Sequence, residues 1–169
     1  MLAELEPYIS DAQLNEICIK IREQFQRFCR IEQNREYQEL FLEEYSAHKR
    51  AGNVMWAIES GFPSGKMIAG LSVERKCYAG GHVRPELHNS DIIIHILSDT
   101  ADTKSKTLLE NYYTMNAPGF DAAPVYCYLR FSVLQNERLS LTLCLPDKDG
   151  NVVASEKLYE TPKIKAVVA

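Results

Sequence analysis

Residue type and spacing first suggest chemistry in the histidine-rich middle of the chain. Cys77, His82, His88 and His95 fall within nineteen residues, accompanied by Arg84, Glu86 and Asp91. Imidazole and thiolate are zinc ligands, so a metal-assisted hydrolase or nuclease using His82, His88 and Asp91 is one reading. Structural zinc sites draw paired ligands from one turn, roughly two to five residues apart, and gaps of five, six and seven residues do not reproduce that spacing. The expectation is therefore that no metal is bound. His95 sits inside an isoleucine run and reads as a core or sheet-face histidine bonded to a neighbour, because an unpartnered polar group is costly to bury. His82, Arg84 and His88 flank Pro85 on a loop opened by Gly80-Gly81. Loops carried on a rigid scaffold are where binding residues gather, and these three are the expected partner-binding residues of an 80–90 loop.

Other catalytic patterns fail on mechanism. Gly61-Phe62-Pro63-Ser64-Gly65-Lys66-Met67 is one residue too short between glycines for a phosphate-binding loop, lacks the hydroxyl residue after lysine, and follows a helical pattern where a strand is needed. Glu74-Arg75-Lys76 has an acid-x-lysine spacing used by metal-dependent nucleases, but no earlier strand supplies the second carboxylate, and charged residues also protect an edge strand. Cys77, Cys127 and Cys144 lie in strand patterns without a helix N-terminus or glycine elbow to activate a thiol, and no serine stands in G-x-S-x-G. No catalytic residue is nominated and no cofactor is expected.

Tyr126, Tyr128 and Arg130 give a different signal, with aromatic and guanidinium groups alternating along one strand. Such a stripe can stack on bases or anchor a protein interface, where tyrosine and arginine are enriched among energetic hot spots. Plain β propensity would also select the tyrosines.

Two periodicities must position these groups. Ser10 and Gln13 form a capping box, with Ile9 and Leu14 at the staple positions, predicting a helix from Asp11. Leu14, Cys18, Ile21, Phe25 and Phe28 then advance by four and three residues in turn, widened by Ile17 and Cys29, while Lys20, Arg22, Glu23, Arg27 and Arg30 occupy the other face. Asn34 caps a second helix running through Tyr45. Ala51-Gly52-Asn53 either kinks that helix or separates a third segment, Val54 to Ser60, since glycine costs about 1 kcal/mol in a helix interior. Gly61 reads as a left-handed C-cap, with Phe62 making the hydrophobic contact and Pro63 preventing continuation.

From Lys66 the period drops to two. Leu71, Val73 and Cys77 alternate with polar residues, Asp91 to Leu97 is apolar enough for a central strand, and a short helix follows from Asp102 or Thr103 to Met115. Val125 to Val133 and Leu139 to Leu145 alternate as antiparallel neighbours, and Asp147-Lys148-Asp149-Gly150 turns the chain into a third strand, Val152 to Tyr159. Helices first and hairpins afterwards define an α+β fold, with N-terminal helices packed on one face of a mainly antiparallel sheet of about five strands. The other face would leave Tyr126, Tyr128 and Arg130 free. The expected organisation is a single domain over 1–169, helical over 10–61, sheet-rich over 66–160, with a loosely held tail over 161–169.

Composition limits the partner. The 169 residues carry 19 basic and 23 acidic side chains, a formal charge of −4. Hydrophobic residues make up 46% and charged ones 25%, outside the disordered regime. Negative charge disfavours general adhesion to nucleic acid or anionic lipid, which depends on lysine and arginine. Met1 to Pro7 holds two acids and no base, the reverse of a secretory signal, and the run Ile92-Ile93-Ile94 is far short of the roughly 20 residues that cross a bilayer. Five cysteines without C-x-x-C spacing suit a reducing compartment. The leading expectation is a non-catalytic cytoplasmic interaction or regulatory protein, of inhibitor, immunity or adaptor type, binding a protein partner through the Tyr/Arg sheet face and the 80–90 loop. The metal-assisted hydrolase or nuclease is the alternative, and a single-stranded nucleic-acid binder the third reading.

Overall fold

The computed structural model describes residues 2–41, 47–77, 83–100, 124–134, 138–147 and 149–162. Helix α1 spans Asp11–Glu32 and begins where the capping box requires: the Ser10 amide donates to Gln13 Oε1 at 3.0 Å, and the Gln13 amide donates to Ser10 Oγ at 3.3 Å. Its buried stripe is Leu14, Ile17, Cys18, Ile21, Phe25 and Phe28. The first turns also grip the sheet. Gln13 Nε2 donates to the Ala69 carbonyl at 2.8 Å, and Glu16 Oε1 accepts from the Ala69 amide at 2.9 Å. Ala69 and Gly70 have φ of 53° and 73° between the paired residues Ile68 and Leu71. Two successive positive φ values are the twist of a tight primed hairpin turn, and the clamp from α1 offsets the strain of placing alanine there.

Asn34 Oδ1 accepts from the Glu36 amide at 2.8 Å at the start of α2, Arg35–Phe41. Helix α3, Ala47–Ser60, continues across Gly52, so that glycine does not separate a third segment. Gly61 differs from the expectation, because it is not among the described residues with positive φ. Its need for glycine is steric: a Cβ at Gly61 would stand 2.5 Å from Gln24 Cγ of α1 and 3.2 Å from the Ile58 carbonyl oxygen. Phe62 does turn into the core as expected.

Among the described residues seven strands follow: β1 Met67–Ile68, β2 Leu71–Cys77, β3 Val83–His88, β4 Ile92–Ser98, β5 Val125–Leu134, β6 Arg138–Pro146 and β7 Val152–Glu160. They lie in sequence order in one mixed sheet, antiparallel except for the parallel pair β4–β5. The α+β class stands, but the expected five strands become seven. The extra ones are β1, too short for a period-two signal, and β3, which occupies part of the segment read as a loop. Asn89 makes the tight return from β3, its Oδ1 accepting from the Asp91 and Ile92 amides at 2.8 and 2.9 Å. The helix expected between Asp102 and Met115 lies outside the described residues, as does the tail from 163 onward. Thr161 is tied down, its amide donating to the Leu139 carbonyl at 2.9 Å.

One cluster joins α1 and α3 to Ile92, Ile94, Ile96, Cys127, Leu129, Phe131, Leu139, Leu141 and Leu143. Helix α1 packs on α3 and meets the sheet at β6 and β7, so the helices do not form a clean layer over one whole face. A second cluster holds Ile93, Leu97, Tyr126, Tyr128 and Cys144, which alternate with the first set along β4, β5 and β6. The central strands are thus buried on both faces, which accounts for the near-continuous apolar run of β4, broken only by His95.

Burial and register define a paired test. Leu141→Asp places a charge among fully buried leucines and is expected to abolish cooperative unfolding, a loss of about 4 kcal/mol or more. Thr142→Asp, opposite the half-buried Arg130 on β5, is expected to leave the thermal midpoint nearly unchanged.

Candidate functional site

Strand β3 presents Arg84, Glu86 and His88 at alternate positions, the period that sends them to one face. Register places Glu74 of β2 opposite Glu86 on one side, and His95 of β4 opposite Glu86 on the other. The outcome is a polar chain across four strands. Tyr126 Oη lies 2.9 Å from His95 Nδ1, and His95 Nε2 lies 2.9 Å from Glu86 Oε2. The tyrosine and imidazole rings meet edge to face, with centroids 5.2 Å apart. Glu86, His95 and Tyr126 are only 3%, 2% and 5% exposed. A carboxylate can only accept, so His95 Nε2 donates where it meets an ionised Glu86, while the Tyr126 hydroxyl, able to donate or accept, meets Nδ1.

At the outer end of this chain, Glu74 Oε2 stands 3.8 Å from His88 Nε2. Donor atoms of Glu74, Glu86 and His88 all lie within 4.8 Å of one another. His95 thus meets its expectation as a buried histidine bonded to neighbours. His88 and Arg84 do not: both sit on β3, where backbone pairing with β2 fixes them, instead of on a binding loop. His82 lies outside the described residues. Asp91 is exposed at the turn into β4 and is not part of the donor cluster.

The Tyr/Arg stripe also needs correction. Tyr128 is 1% exposed, Tyr126 is committed to His95, and Arg130 is half-buried. The tyrosines therefore belong to the second core and present no docking face. Period two identified the face correctly; no local signal shows that its tyrosines are buried. In the sequence Glu86, the centre of the polar chain, is only a neighbour of the histidines, since its partners come from β2 and β4 and only register brings them together.

A separate buried acid lies at the end of α3. Glu59 Oε2 is 4.0 Å from an Arg75 guanidinium nitrogen. Burial pushes its carboxyl from the ordinary 4.5 up to about 7, against the lowering pull of Arg84 and then Arg75. Three cysteines are shifted away from activation: burial raises Cys18 to about 11, and it also raises Cys127 and Cys144.

Compared with known proteins, the chain matches no family model, no curated protein and no solved structure.

Two measurements test these networks. Tyr126→Phe removes the hydroxyl partner of a buried imidazole and is expected to cost about 1–3 kcal/mol in denaturant unfolding. For Glu59, the folded chain keeps a proton that the unfolded chain has released between pH 4.5 and 7, so its stabilising contribution is complete below pH 4.5 and lost as pH rises through 7. Glu59→Gln is therefore expected to gain stability relative to the parent chain across that window, by up to about 3 kcal/mol, and to hold that gain at higher pH.

Proposed function

We propose that the chain is a non-catalytic interaction or regulatory protein, of inhibitor, immunity or adaptor type, that works in the cytoplasm on a protein partner. The observation that carries this reading is the edge strand β7. It runs for nine residues at the end of the sheet order, with no strand neighbour beyond it among the described residues. Val152 and Val153 at its start are 41% and 61% exposed.

An open edge offers a row of backbone donors and acceptors that an extended segment of another protein can complete, with side chains at alternate positions setting specificity. Register shifts against β6 and the Lys157–Glu160 ion pair interrupt the flatness of this edge. Such features discourage indiscriminate pairing and leave the edge to a partner that fits. The working surface in this proposal is therefore the sheet edge, in place of the buried tyrosine face.

Formal charge supports a protein partner over nucleic acid, and burial of Tyr126 and Tyr128 removes the stacking platform that a single-strand binder would use. The metal-assisted alternative keeps one favourable observation, the company of Glu74 and Glu86 around His88.

Site-specific photocrosslinking in cells tests the edge. A photoreactive phenylalanine analogue at Val153 is expected to trap a defined protein, and the same probe at the exposed Glu36 of α2 is expected to trap none. Equal trapping at the two positions, or none at either, refutes the edge as the working surface.

A further inference from the structure

We infer that Glu74, Glu86 and His88 form a binding site for one divalent transition-metal ion of the zinc type. The inference is independent of the edge-strand reading. Three features of different origin converge on it.

First, the donors are already gathered. Glu86 and His88 are two residues apart on one face of β3, and Glu74 is the direct cross-strand neighbour of Glu86, which also makes it a diagonal neighbour of His88. Their nearest donor atoms lie within 4.8 Å of one another. Ligand atoms bound about 2.0–2.2 Å from one tetrahedral zinc ion stand about 3.4 Å apart, so an inward movement on the order of 1 Å completes the shell. Side chains able to make that movement are the two at the surface: Glu74 is 52% and His88 35% exposed. Glu86 is the fixed member.

Second, the paired carboxylates suit a cation beside whatever other partners they have. Register sets two carboxylates directly opposite each other, an arrangement that destabilises a pair of strands, and one of the two is almost fully buried. A doubly charged ion between them converts that repulsion into attraction. His88 adds a neutral nitrogen donor, and a mixed imidazole and carboxylate set suits zinc and its first-row neighbours better than magnesium or calcium, which prefer oxygen alone.

Third, Glu86 has the outer support that metal ligands typically have. Its Oε2 accepts from His95 Nε2 at 2.9 Å, and His95 is oriented in turn by Tyr126 Oη at 2.9 Å. Hydrogen-bonded carboxylates of this kind are held in place for the ion before it arrives. Three protein ligands leave at least one coordination position, which water fills on the exposed Glu74–His88 side.

The test uses the full chain stripped with chelator. Calorimetric titration with Zn2+ is expected to show one ion per chain, and Co2+ to give visible d–d absorption without the near-ultraviolet band of thiolate ligation. His88→Ala and Glu74→Gln, both at partly exposed positions, are each expected to weaken Zn2+ binding at least tenfold with unchanged circular dichroism. His95→Gln is expected to weaken it about 10–100-fold through the supporting hydrogen bond. Asp149→Asn, at an exposed acid outside the cluster, is expected to bind as the parent does. Full affinity in both ligand variants, a thiolate band with Co2+, or no saturable binding by the parent chain overturns the site.

Discussion

An imidazole placed in the most buried strand of a sheet must find partners there, and much of this molecule is organised by how His95 finds them. Water is excluded from both faces of β4, so each ring nitrogen has to be satisfied by protein. Glu86 on β3 and Tyr126 on β5 do so, one on each side, which stitches together an antiparallel pair and the sheet's parallel pair. An apolar side chain at that position would tolerate other registers of β3 and β5. A histidine with two directional partners does not, because a shift of one residue would turn Glu86 or Tyr126 to the opposite face.

The two ends of the fold solve a related problem by different means. At the β1–β2 hairpin, the left-handed Ala69 is held by Gln13 and Glu16 of α1, so the residues that begin the helix also fix the first turn of the sheet. At the other end, Arg22 of α1 stacks over the Tyr159 ring of β7, 4.1 Å from its centroid, and Arg138 pairs with Glu160. The helix therefore reaches both margins of the sheet through polar and cationic contacts, while its apolar stripe serves the shared core. That arrangement holds β7 firmly against β6, and among the described residues no strand pairs with its outer edge.

How far the sequence could be read depended on the range of the physics involved. The α1 start was legible because a capping box is satisfied within four residues; β5 and β6 were legible because side-chain alternation is local; the left-handed Gly150 was legible from its turn. Strand β3 is not legible in the sequence because Pro85 and the neighbouring glycines resemble a loop, and only pairing with β2 and β4 makes it a strand. The steric need for glycine at position 61 is hidden from the sequence for the same cause: a close approach to Gln24 of another helix leaves no trace in adjacent residues. His88 was singled out from its type, but its companions Glu74 and Glu86 emerged only from cross-strand register.

What the linear chain determined by itself was the identity of most elements and the residues each would turn inward, because caps, turns and hydrophobic period act over a few residues. Tertiary structure alone decided that β4 and β5 lie parallel, that the tyrosine face is buried, and that Glu74, Glu86, His88, His95 and Tyr126 form one polar chain. These are choices about which distant segments become neighbours. Their free energies come from burial and pairing that do not exist until the sheet has assembled.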